Sequence, residues 1–129
     1  MAGGSLELSD VSIWHASAAV SAMTGAQVLI DKLTSTTCFD GVICEQGVVG
    51  KVRRCNLWGP GSHLGGRGLV LSSGVDTSPP DSLSPEPTVL ENWSQGVIAT
   101  SMGDVVSNML VKACDGGNRC TSDGQIVDY

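Results

Sequence analysis

Five cysteines, two histidines and thirteen carboxylates are the groups with which this chain of 129 residues could do chemistry. Four of the cysteines fall into two pairs of identical spacing, Cys38 with Cys44 and Cys114 with Cys120. Both intervening runs, CFDGVIC and CDGGNRC, hold an Asp-Gly turn signal. Five residues rich in turn formers can close a small disulfide loop, so two local disulfides are the expectation, with reduced structural thiols and metal ligation as competing readings. Neither spacing is the C-x2-C of a zinc knuckle. Cys55 is left over as an intermolecular bridge, a buried free thiol, or an exchange partner within the first pair.

The other reactive groups assemble into no known constellation. His15 and His63 are too few for a multi-histidine metal site, and Ser62 next to His63 is not the fold-built geometry of a nucleophile and its base. A G-x-S-x-G elbow is missing. Basic neighbours at Arg53 and Arg54 would lower the thiol pKa of Cys44 or Cys55, yet a structural role is the reading for both. Asp40, Asp115, Asp123 and Asp128 lack the spacing of a calcium loop and read as turn formers. The glycines at 59, 61, 65, 66 and 68 precede a strand-like run instead of opening a helix, so they read as a flexible loop and not a phosphate cradle. Asn92-Trp93-Ser94 forms a glycosylation sequon, within which Trp93 reads as a packing residue. No catalytic, cofactor-binding or metal-ligating residue is assigned.

Charge and composition narrow the function classes. A net charge of −6, with only Lys51, Arg53 and Arg54 as a basic cluster, disfavours nucleic acid as the main partner. Phe39, Tyr129, Trp14, Trp58 and Trp93 are the only aromatics, so core volume must come from Val, Leu, Ile, Ala and Met, which favours close packing over large ligand pockets. The N-terminal segment lacks the pattern of a signal peptide, and no run approaches the roughly 18 apolar residues of a membrane helix; a soluble chain is expected.

The elements that would position these residues read as mixed. Leu6, Leu8, Val11 and Ile13 alternate as a strand with a phase slip near Asp10. Thr24 with Gln27 fits a capping box ahead of Ala26, Leu29, Ile30 and Leu33, predicting a helix over 25–34. Residues 41–44 and 48–55 read as strands joined by Glu45-Gln46-Gly47, and 68–72 as a buried strand. Residues 74–87, with four of the five prolines, read as an extended surface loop. Gln95–Thr100 reads as a strand. Met102, Val105, Val106, Met109, Leu110 and Ala113 predict a one-faced helix over 102–113, and the final QIVDY an edge strand. Trp14 to Met23 and Trp93 to Met102 share one separation, each followed by a predicted helix and a cysteine loop. That echo suggests half-units 10–55 and 90–129 joined by the Gly/Pro-rich segment 56–89. The expected fold is a single α+β (mixed α/β) domain with a small sheet and two short amphipathic helices.

The run Val42-Ile43-Cys44-Glu45-Gln46-Gly47, then Lys51-Val52-Arg53, then Gly65-Gly66-Arg67-Gly68-Leu69-Val70-Leu71 resembles the protease-associated domain across about a quarter of the chain. The resemblance implies a non-catalytic accessory module of proteases and sorting receptors. WGPGSHL stands where that family has a helix, and Gln46 where it usually has a basic residue. The leading functional expectation is a non-catalytic structural or interaction protein, a self-assembling subunit of a virion shell, filament or similar assembly. Its partners would be itself or another protein, met through Trp58, His63, Pro79, Pro80, Pro85 and Pro87. The alternatives are the accessory module of a secreted protein and a small cysteine- or Ser/His-dependent enzyme. Oxidised cysteine pairs would place the chain outside the cell or in a virion.

Overall fold

The apolar alternation of the first residues recurs along the chain at a fixed step, and that step sets the architecture. The computed structural model describes residues 4–61, 64–71, 74–77, 86–99, 109–112, 119–122 and 125–128. Each early turn of chain contributes three short strands. They are β1 (Ser5–Ser9), β2 (Ser12–Trp14) and β3 (Ala18–Ala22), then β4 (Gln27–Asp31), β5 (Thr34–Thr36) and β6 (Asp40–Cys44). The next turns hold β7 (Val49–Arg53), β8 (Asn56–Trp58), β9 (Arg67–Leu71), β10 (Gly74–Asp76), β11 (Thr88–Glu91) and β12 (Gln95–Ala99). β13 (Met109–Lys112) follows, and an antiparallel hairpin of β14 (Arg119–Ser122) and β15 (Gln125–Asp128) ends the series.

Strands one turn apart pair in parallel to give three sheets, ordered β1-β4-β7-β10, β2-β5-β8-β11-β13 and β3-β6-β9-β12. The chain is a β-solenoid of about three turns. Ser5 faces Gln27 and Gln27 faces Val49, a step of 22 residues, and Ser12, Thr34 and Asn56 repeat it. The step grows to 27 between Val42 and Leu69 and to 33 between Asn56 and Val89, because the segments near 59–66 and 77–87 are extra chain inserted between strands.

The corners explain how one alternating pattern turns through three sheets. Leu6 and Leu8 face the interior, Ser9 and Asp10 both face out, and Val11 and Ile13 face in again. The slip is absorbed by a left-handed backbone at Asp10 (φ 54), repeated at Lys32 (φ 58) and Arg54 (φ 52). For ordinary residues this conformation costs about 1–2 kcal/mol. Inter-turn bonding offsets that cost. The Asp10 amide donates to the Asp31 carbonyl at 3.1 Å, and the Lys32 amide to the Arg53 carbonyl at 3.2 Å. Gly25 and Gly47, both at φ 88, complete tight turns closed by Ala26 N–H to Met23 O and Val48 N–H to Glu45 O.

The interior is a set of aliphatic columns along the axis: Leu8 under Ile30 and Val52, Val11 under Leu33 and Cys55, Val20 under Val42 and Leu69. Trp93, wholly buried, donates its indole N–H to the Leu57 carbonyl at 2.8 Å. Its ring lies where glycines leave room. A Cβ on Gly59 would come within 2.7 Å of the indole, and one on Gly68 within 2.9 Å. The glycine-rich segment is therefore partly a cradle for a tryptophan.

These observations correct the expected α+β class: the described residues contain no helix. The predicted helix 25–34 is β4, a corner at Lys32 and the start of β5. Two outward residues at a corner put Ile30 and Leu33 three apart, which mimics helical spacing. Thr24 is no cap; its hydroxyl donates to the Gln46 carbonyl of the next turn at 2.9 Å. The predicted helix 102–113 includes strand β13, paired in parallel with β11; residues 102–108 and 113 lie outside the described residues. The strands at 41–44 and 48–55 exist as β6 and β7 but belong to different sheets, and the period of the chain is the 22-residue step, not the tryptophan echo.

Ser35, Thr77 and Thr88 are the buried polar side chains among the described residues. Ser35, between Ile13 and Leu57, is completely buried and its hydroxyl has no hydrogen-bond partner. An unpartnered buried hydroxyl costs about 1–3 kcal/mol. Ser35→Ala is therefore expected to stabilise the fold by about 1 kcal/mol, read as a higher urea midpoint at unchanged slope. A lower midpoint would show that the hydroxyl is satisfied.

Candidate functional site

Charge is concentrated on the first sheet and its corner. Asp31 ends β4, Arg53 ends β7 beside it, and Arg54 occupies the corner. The Arg54 guanidinium clasps Asp31 with two hydrogen bonds, Nε to Oδ1 at 2.7 Å and Nη2 to Oδ2. These bonds hold the Asp31 carboxyl below its ordinary value against the opposing effect of partial burial, and the charges of Arg54, Arg53 and Lys32 add to the effect. The basic cluster of Lys51, Arg53 and Arg54 is thus partly neutralised within the fold. Asp40 is likewise structural, accepting from the Arg67 backbone amide at 3.0 Å and its guanidinium at 3.3 Å, which ties β6 to β9.

Cys38, Cys44 and Cys55 are buried, and none of the three is in a disulfide. The expected Cys38–Cys44 bridge is not formed, because the residues between them are drawn out along β6. Asp40 to Cys44 alone spans about 13 Å of extended strand, against the roughly 7 Å limit between bridged Cα atoms. Cys55 is neither accessible for an intermolecular bridge nor activated by its basic neighbours. Burial pushes its thiol up to about 11, opposed by backbone contacts from Leu33 and Arg53. Cys114 lies outside the described residues, as does the side chain of Cys120, so that pairing does too.

Of the expected contact loop, Trp58 is exposed at the end of β8 and Pro87 is half-buried just before β11. His63, Pro79, Pro80 and Pro85 lie outside the described residues. The described residues contain no group of three or more His, Cys, Asp or Glu placed to hold a metal ion, and no helix long and apolar enough to cross a membrane. A shallow depression of about 280 Å³ lies on the first sheet, lined by residues that include Glu7, Gln27, Leu29 and Gly50. Glu7 is the one ionisable group in its wall, too few for acid-base work.

Sequence reasoning missed the aromatic pair on the second sheet. Trp14 pairs with Thr36, and Thr36 with Trp58, so the two indoles share one outward column with a threonine between them. Trp14 is 63% exposed and Trp58 48%. Their separation of 44 residues is twice the 22-residue step, the signal by which the pair was legible. Comparison with known proteins finds no matching family model, no matching curated protein and no matching solved structure. The segments that resemble a protease-associated domain are successive turns of parallel strands.

Two measurements check this account. Asp31, with its pKa lowered from 3.8, contributes stability that is full above that value and lost as pH falls through the lower native one. Asp31→Asn should therefore have a lower urea midpoint than the parent at pH 7, and the gap should close on acidification below 3.8; a gap independent of pH would refute the assignment. Iodoacetamide at neutral pH, followed by peptide mapping, should leave Cys38, Cys44 and Cys55 unmodified until denaturant is added. Rapid native labelling of Cys55 would contradict its burial.

Proposed function

We propose that this chain is a non-catalytic structural module that self-associates through the first turn of its solenoid. The observation carrying this reading is the contrast between the two ends of the coil. Among the described residues β1, β2 and β3 each pair with one strand only, so three parallel edges end on one face. Beneath them Leu6, Leu8, Val11 and Ile13 are partly buried, whereas Val28, Ile30 and Leu33 one turn later are almost fully so. At the opposite end β14 lies against β12 and β15 against β13, so the hairpin lies over two of the three terminal strands, β10 being left with β7 as its one paired strand among the described residues. Unpaired edges over apolar side chains favour association.

Unequal ends, one with three bare edges and one largely overlaid by the hairpin, support a closed pair more than a filament. A filament needs two different complementary surfaces, whereas a single self-complementary face gives a two-fold dimer. This narrows the expected shell or filament subunit to a dimer, with β1 of one copy against β1 of the other. The accessory-module and small-enzyme readings gain no support from the geometry of the described residues, where Cys38, Cys44 and Cys55 are buried and Asp31 and Asp40 are paired with Arg54 and Arg67.

Gly4 O and Asp10 N–H both bond to the second turn, so by alternation Ser5, Glu7 and Ser9 present their backbone groups to the open edge. The 13.3 kDa chain should run in light scattering as a species of twice that mass. Glu7→Pro removes an edge donor without touching the β1–β4 ladder and should yield a folded monomer. A parent protein that is monomeric at high micromolar concentration would end this reading.

A further inference from the structure

We infer that the column Trp14–Thr36–Trp58 is a binding site for an uncharged, extended β-1,4-linked hexopyranose chain. The site lies on the outer face of the second sheet, and its argument does not use the proposed self-association, which engages the edge of β2 and not its outer face. Three observations carry it.

The first is spacing. Trp14 and Trp58 stand two strands apart on one flat face, a separation of about 9.6 Å at the usual distance between paired strands. That separation is close to the length of two pyranose units in an extended β-1,4-linked chain. Such a chain has nearly two-fold screw symmetry, so alternate units turn the same apolar C–H face to one side. Units n and n+2 can then lie on the two indoles, with unit n+1 over Thr36.

The second is charge. The outward residues of the first three turns on this sheet are Ser12, Trp14, Thr34, Thr36, Asn56 and Trp58, with no charged side chain among them. Charge gathers instead on the first sheet, at Glu7, Asp31, Lys51 and Arg53. The first acid of the tryptophan column, Glu91, comes one turn past Trp58. Indole faces interleaved with hydroxyl and amide groups complement a neutral polyhydroxylated ligand. They do not complement nucleic acid, which a chain of net charge −6 repels.

The third is rigidity. Both tryptophans sit on strands of a continuous parallel ladder, held in register by backbone hydrogen bonds such as His15 N–H to Thr36 O at 3.3 Å. A platform fixed before binding loses little ordering entropy. Trp93 is buried and bonded to Leu57, so fluorescence changes on ligand addition report on the exposed pair.

The test is a tryptophan-fluorescence titration of the full chain with cellohexaose and chitohexaose, glucan-type and chitin-type versions of the same extended geometry, with maltohexaose as a helically wound control. Saturable binding of at least one extended hexasaccharide is expected, weaker by about tenfold for its disaccharide, which cannot reach both indoles. Trp14→Ala and Trp58→Ala should each weaken binding by about tenfold or more, with unchanged far-ultraviolet circular dichroism, while Trp14→Phe retains most of it. The inference is overturned if neither extended oligosaccharide binds at millimolar concentration, if maltohexaose binds equally well, or if the alanine variants bind like the parent. It is also overturned if Trp14→Ala/Trp58→Ala abolishes dimerisation, which would assign the column to self-association. Glu7→Pro should bind sugar like the parent whether or not it dimerises, so the fates of the two proposals are read separately.

Discussion

Everything in this molecule depends on the backbone hydrogen bonding between one turn and the next. In most β proteins the ladder is interrupted at loops; here it continues through the corners, at Asp10, His15, Lys32 and Thr34 as well as within strands. Where no segment is inserted, a residue and the one 22 positions later are therefore obligatory neighbours. Interior columns, corner geometry and surface rows all follow from that register. A parallel ladder slipped by one residue would turn every interior aliphatic outward, so the columns and the hydrogen bonds enforce each other. The left-handed corners persist at Lys32 and Arg54, residue types with no preference for that conformation, because both constraints act there together.

Part of this was legible in the sequence. The strand at the start of the chain follows from alternation, those at 41–44, 68–72 and after Gln95 from short apolar runs between turn signals, and the phase slip near Asp10 marks the first corner. The turn at Glu45-Gln46-Gly47 is also in place. The period was hidden because its interior positions interchange Leu, Val, Ile, Ala, Cys and even Ser and Gly, so turns share pattern without sharing residues. Insertions between β8 and β9 and between β10 and β11 then break the step. The corner places two outward residues between inward ones, producing apolar spacings of three that imitate a helix. The thiols misled for a related reason: Asp-Gly between two cysteines signals a turn, but Asp40 and Gly41 begin a strand here.

The functional surface was less legible than the fold. Reactive side chains drew attention in the sequence, and among the described residues the structure takes five of them out of play: Cys38, Cys44 and Cys55 into the interior, Asp31 and Asp40 into ion pairs with Arg54 and Arg67. What remains exposed is shape and repetition. The coil offers an end face where three sheets stop and a side face where two indoles stand in line. Both surfaces are built from the repeat itself and not from a single cluster of reactive groups.

The inserted segments show how such a chain tolerates change. Lengthening a turn from 22 to 33 residues adds only about 0.4 kcal/mol of loop-closure entropy, less than a single core methylene is worth. Provided the insert leaves and rejoins at a corner, the columns on either side never sense it. The circumference of the coil is thus fixed by packing while its excursions are nearly free, so new surface can be grown from a corner without renegotiating the interior.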